Sequence, residues 1–326
     1  MRRFLISVAS LVLSASWAVA QDRAPSGLGS ASAPDGPASA PEEADRVVVT
    51  GEWPQGQSLR DYVSNFVAEV GKPAGNSGNF GYARWDGRIC VGVENIPQRP
   101  AQFIADRISQ VALDVGLRPG EPGCAPNIAV IFTVDGAALA SHLVETEPTV
   151  FRPFGGTGGT TQGLQALDVF ATSEAPVRWW QVTMVVDWAG RVAIRLPEHD
   201  RLPPCPGEDE IRVCINSANS RITNAVRDEL RATFVIVDAS MLEAVTWTQL
   251  ADYLAMVSLA QIDPSAEPAG YDTILNLFHT PASSPRLTAW DRTYLRTLYE
   301  FEQHRMPGQQ RSALTNEMVR QHTAAE

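Results

Sequence analysis

Lysine is almost missing from this chain. Lys72 is the only one in 326 residues, so nearly all positive charge is arginine, a compositional bias without mechanistic weight. Clustered basic residues are missing as well. Lys and Arg total 26 against 37 Asp and Glu, and without a basic stripe or patch nucleic acid is excluded as a partner. No C-x-x-C occurs, which argues against a zinc site built on the cysteines. The glycine-rich stretch 152–163, with Gly155, Gly156, Gly158 and Gly159 at its centre, lacks both the Gly-Lys-Ser/Thr of a phosphate loop and the G-x-G-x-x-G of a dinucleotide turn. It reads as a flexible connector. Ser77, between Asn76 and Gly78, lacks the G-x-S-x-G of an exposed nucleophile and reads as part of a turn.

Arg2 and Arg3 precede an apolar run from Phe4 to Trp17, and Ala18, Val19 and Ala20 supply the small residues that a signal peptidase cuts after. Residues 1–20 are therefore expected to be a secretory signal peptide. The run is shorter than a spanning helix needs and is interrupted by Ser7, Ser10, Ser14 and Ser16, so no transmembrane anchor is expected after cleavage. Gln21 follows the cut, not the cysteine of a lipoprotein. Cleavage removes two arginines and no acid, leaving 24 basic and 37 acidic residues, net −13. The expected location is periplasmic or secreted. An even number of cysteines in an exported chain favours disulfides, and Cys90, Cys124, Cys205 and Cys214 permit three pairings. The sequentially local one is preferred: Cys90 with Cys124 and Cys205 with Cys214, each pair bracketing a segment rich in turn formers.

Periodicity divides the rest. Residues 21–45, rich in Ala, Ser, Pro, Gly and acids, read as a disordered linker. Residues 46–150 read as an N-terminal α/β region: a short strand at Arg46–Thr50, a helix over Ser58–Val70, a strand at Ile89–Val93, a helix over Pro100–Gly116 and a strand at Ile128–Thr133. Residues 151–175 are the connector and 176–312 a C-terminal α+β region, followed by a tail at 313–326. Within the C-terminal region, Trp179–Trp188 and Arg191–Leu196 read as a hairpin around Gly190, Asn219–Leu230 as a helix and Thr233–Asp238 as a buried strand. Trp179 and Trp180 are expected to divide into one core and one half-exposed residue. Thr246 and Gln249 form a capping box that opens a helix to about Gln261. The fold class expected is α+β, a mixed sheet with packed helices.

The strand ending in Phe234, Val235, Ile236, Val237 and Asp238, the helix from Gln249, the segment Thr273–Phe278 and the Leu287–Tyr299 helix together resemble an uncharacterised group of exported proteobacterial proteins related to zincin-like metallopeptidases. The resemblance covers about residues 205–311 and implies a zincin-like C-terminal half. In that group the helix after the strand is where a metallopeptidase keeps H-E-x-x-H. Two histidines at i and i+4 share a face and bind zinc, while the glutamate activates the metal-bound water. Here that helix contains no histidine, and Asp252 is its only acid. His142, His199, His279, His304 and His322 are scattered without ligand spacing, so neither metal nor cofactor is expected.

Asp252 and Asp291 are the two acids with any claim to a catalytic role. Asp291 also completes a second capping box with Thr288, where an acid at the third helical position stabilises the helix start. The function expected is that of a non-catalytic binding or structural protein on a degenerate metallopeptidase-like scaffold, with an unknown protein or envelope ligand as its partner. The alternative is a cell-envelope hydrolase with an active site assembled only in the fold.

Overall fold

A serine hydroxyl caps the first helix: Ser58 accepts from the Asp61 amide and opens helix α1 (Leu59–Val70), whose Val63, Phe66, Val67 and Val70 are buried. In the computed structural model the residues described are 57–73, 81–151, 159–160, 162–195, 213–215, 224, 226–302 and 305–323, all within one compact unit, Val47–Glu326. The expected signal peptide, the linker, the strand at Arg46–Thr50 and Ser77 lie outside them.

The strand, helix, strand reading of the N-terminal region is realised as β1 (Val91–Glu94), α2 (Gln98–Asp114) and β2 (Ile128–Thr133). The two strands are parallel, Val91 opposite Ile128. Helix α2 stops at a glycine. Gly116 takes φ +82°, its amide donates to the Leu113 carbonyl at 3.0 Å and the next amide, Leu117, reaches back to Ala112 at 2.9 Å, the paired bonds of a Schellman end. The Cys90–Cys124 disulfide forms as expected and ties the loop before β2 to the residue that leads into β1.

Helices α3 (Gly136–Thr146) and α4 (Pro148–Phe151) follow, then β3 (Gly159–Thr160), α5 (Leu164–Thr172) and β4 (Val177–Asp187). The segment read as a connector thus carries a helix and an edge strand. The turn after β4 closes at Gly190, φ +75°, but only Val186 and Val192 bridge across it. Strand β5 (Ala193–Arg195) instead pairs in parallel with β6 (Val213–Ile215). Cys205 lies outside the described residues, so its pairing with Cys214 does too.

The helix expected over Asn219–Leu230 is overturned from Val226 onward. Val226–Asp238 is one strand, β7. Its first half is drawn into the sheet by β4, which pairs with it antiparallel along its whole length, from Val177 opposite Val237 to Asp187 opposite Val226, with Arg231 as the extra residue of a bulge. β7 also pairs with β2 in parallel, so the sheet order is β1-β2-β7-β4-β3. Strands from the 46–150 and 176–312 segments lie side by side in this mixed sheet, and the α+β class holds.

Both faces of the sheet are covered. Val130, Val177, Trp179, Val235 and Val237 face one large core, while Trp180 and Ile236 face a second, under α3, α4 and α5. Trp179 and Trp180 are therefore both buried, because alternation sends them to opposite faces and neither face meets solvent. On the large-core side lie α6 (Trp247–Leu259), α7 (Ala289–Glu300) and α8 (Pro307–Thr323). Helix α8 corrects the expected tail: Leu314 and Met318 are fully buried, and His322 stacks on Trp290 with ring centroids 5.3 Å apart.

Candidate functional site

Helix α6 is the element on which a metallopeptidase-like reading turns, and it is buried continuously from Gln249 to Leu259. Two apolar stripes flanking a polar face would leave part of the helix wet; a helix that is apolar on nearly every side belongs inside. Its start is the expected capping box. Thr246 Oγ1 accepts from the Gln249 amide at 3.3 Å, and Gln249 Oε1 accepts from the Thr246 amide at 2.9 Å. Gln249 does more than cap, because its Nε2 donates to the carbonyls of Pro281 at 2.7 Å and Ser284 at 3.1 Å.

Asp252, one turn on, is completely buried. One carboxylate oxygen accepts from Nε of Arg107 on α2, whose side chain is 28% exposed. The other accepts from the Leu287 amide at 2.8 Å. A buried carboxylate persists only when paired and hydrogen-bonded, and both oxygens are spent on joining α6 to α2 and to the segment before α7.

Asp291 is equally buried and more heavily bonded. Oδ1 accepts from Thr273 Oγ1 at 2.6 Å, and Oδ2 from the amides of Ile274 at 2.8 Å and Thr288 at 2.9 Å. The Thr288 hydroxyl lies 2.9 Å from Oδ2 and accepts from the Asp291 amide, completing the expected capping box. Burial pushes the Asp291 carboxyl up to about 6, against the opposing pull of those hydrogen bonds. A third acid, Asp238, stands where the parallel strands end, a common place for ligands in open α/β sheets. Its oxygens accept from the Gly136 amide at 2.8 Å and from Ser240. Burial pushes Asp238 up, yet Ser240, the Gly136 amide and the nearby Arg178 outweigh it and hold the group below the ordinary carboxylate range.

The donor set on α6 does not suit zinc. No i, i+4 pair on the helix holds two metal ligands: Leu250 stands with Leu254, Ala251 with Ala255 and Asp252 with Met256, and Asp252, the only carboxylate of the helix, is already occupied. Among the described residues no group of three or more His, Cys, Asp or Glu is placed to hold a metal ion. His142 and His279 are exposed, and His199 and His304 lie outside the described residues.

What the sequence did not point to is a cleft of 290 Å³ where the start of β4, Tyr253 of α6, the 262–266 segment that follows α6 and the 275–279 segment meet. Three aromatic rings line it in series: Trp179 lies 6.2 Å from Tyr253, and Tyr253 4.9 Å from Phe278, both edge to face. His279, Glu174 and Asp263 stand at its polar side. Burial raises the Tyr253 phenol above its ordinary range. The arrangement offers aromatic faces and a few polar groups, which is the chemistry of a binding cleft. No family model, no curated protein and no solved structure matches this chain.

Proposed function

We propose that the chain is an exported binding or structural protein whose C-terminal half is a metallopeptidase-like scaffold without metal chemistry. The observation that carries this reading is the use made of the two candidate acids. Asp252 and Asp291 are buried, and every one of their carboxylate oxygens already accepts from the protein's own frame, so neither offers an unbonded oxygen to water or substrate. The packing of α6 supports it, since the face that would carry metal ligands carries Leu, Ala and Met. Periplasmic or secreted placement rests on the N-terminal pattern and agrees with the Cys90–Cys124 bond, which is at home in an oxidising compartment. Among the described residues no helix is long and apolar enough to cross a membrane. A protein or envelope component is the partner this reading implies.

Metal analysis of the purified protein lacking residues 1–20 tests it. The expected result is no stoichiometric metal and a Tm unchanged by chelator; one tightly held zinc per chain would overturn the reading.

A further inference from the structure

A second cleft, between α2 and the start of α7, gathers three guanidinium groups in a chain that is acidic overall. It has a volume of 300 Å³ and is lined by Arg107, Arg292 and Arg296 above Leu287 and Leu295, with Asp114 as its one acid. Its floor is rigid. Leu287 and Leu295 are buried in the main core, and Arg107 is tethered through Nε to Asp252, itself fixed by the Leu287 amide. That tether uses one of the five N–H donors of the guanidinium.

Arg292 and Arg296 differ. They stand four residues apart on α7, hence on one helical face, both exposed, and neither side chain has a hydrogen bond or ion pair to the described residues. Like charges at this spacing repel by a few tenths of a kcal/mol, and Asp114, which also accepts from Gln110 at 2.9 Å, is the only lining acid to set against them. Asp252 answers for Arg107. The cleft is therefore left with an excess of positive charge and unspent planar donors, which match paired oxygens of a carboxylate or phosphate. Its volume is that of roughly ten water molecules, which suits a small hydrophilic ligand and not a polymer.

We propose that this cleft binds a small oxyanion, held by Arg292 and Arg296 against the tethered Arg107; the proposal rests on the binding-protein reading above. Calorimetric titration of the protein lacking residues 1–20 with inorganic phosphate and, separately, with citrate, at ionic strength matched by sodium chloride, tests it. The expected result is saturable binding of one equivalent, with the tighter probe telling a phosphate ligand from a carboxylate one. R292Q/R296Q should weaken it roughly tenfold or more, the loss of charged hydrogen bonds. R99Q/R118Q, which removes the same charge from exposed positions elsewhere, should leave it unchanged. Binding no better than chloride, or equal binding by R292Q/R296Q, overturns the proposal. Neither outcome bears on the absence of metal chemistry, which metal content decides by itself.

Discussion

Leu287 and Thr288 are neighbours in the chain, yet their amides go to carboxylates on different helices, Leu287 to Asp252 and Thr288 to Asp291. Each acid makes its own prediction. Replacing Arg107 with Met leaves the Asp252 charge buried and uncompensated, which should cost about 3–5 kcal/mol. D252N keeps an oxygen for the Leu287 amide and leaves a half-exposed guanidinium to water, so about 1–2 kcal/mol is expected. Urea unfolding midpoints compare the two, and a larger loss in D252N would refute this assignment of the pair. Asp291 governs a pH dependence. Its folded-state pKa, about 6, lies above the ordinary value near 3.9, so its contribution to stability is complete below pH ~4 and is lost as the pH rises through 6. The stability of the wild type relative to D291N should therefore fall by about 3 kcal/mol across that window and stay level above it, as read from unfolding at a series of pH values. The Asp291 capping box was legible because its partner is three residues away. The Arg107 partner of Asp252 was not, because nothing local couples positions 145 residues apart.

At the scale of the element, the two ends of α6 were unequally readable. The start announces itself through Thr246 and Gln249. The end is buried, and the carbonyls a helix leaves orphaned there are met by side chains from three distant parts of the chain. Gln181 of β4 donates to Val257 at 2.8 Å and Ala260 at 2.7 Å, the Trp85 indole to Ser258 at 2.9 Å, and the Tyr299 hydroxyl to Leu259 at 2.6 Å. Q181L should orphan two buried carbonyls and cost roughly 2–6 kcal/mol, at 1–3 for each group left unsatisfied. Loss of hydrogen-exchange protection at the last turn of α6 would accompany it; unaltered protection and stability would refute the cap. Strand β7 shows the opposite failure. Val226–Leu230 carries an apolar spacing that a helix could use, and only pairing with β4 commits it to a strand, a tertiary override of a weak local preference.

For the whole molecule, the Cys90–Cys124 bond closes a separation of 34 residues around α2. Chain entropy assigns such a loop nearly 4 kcal/mol, a model-dependent upper figure. C90A/C124A should lose about 2–4 kcal/mol in denaturant unfolding while keeping the circular dichroism of the folded sheet and helices; an unchanged midpoint would show that the bond carries no stability. The disulfide joins only what the β1, α2, β2 unit already brings together, whereas the five-stranded sheet needs strands from both halves of the chain. Periodicity, caps and turn residues determined α1, α2, β2, the start of α6 and the Asp291 cap, because each depends on side chains within one or two turns of one another. The tertiary structure alone decided that β7 is long, that Trp179 and Trp180 are both buried, that Asp252 is spent on Arg107, and that Arg292 and Arg296 face it across a cleft. Those outcomes depend on which distant surfaces meet. A buried charge or an orphaned carbonyl is satisfied by whatever donor the fold carries to it, and local sequence holds no record of that donor.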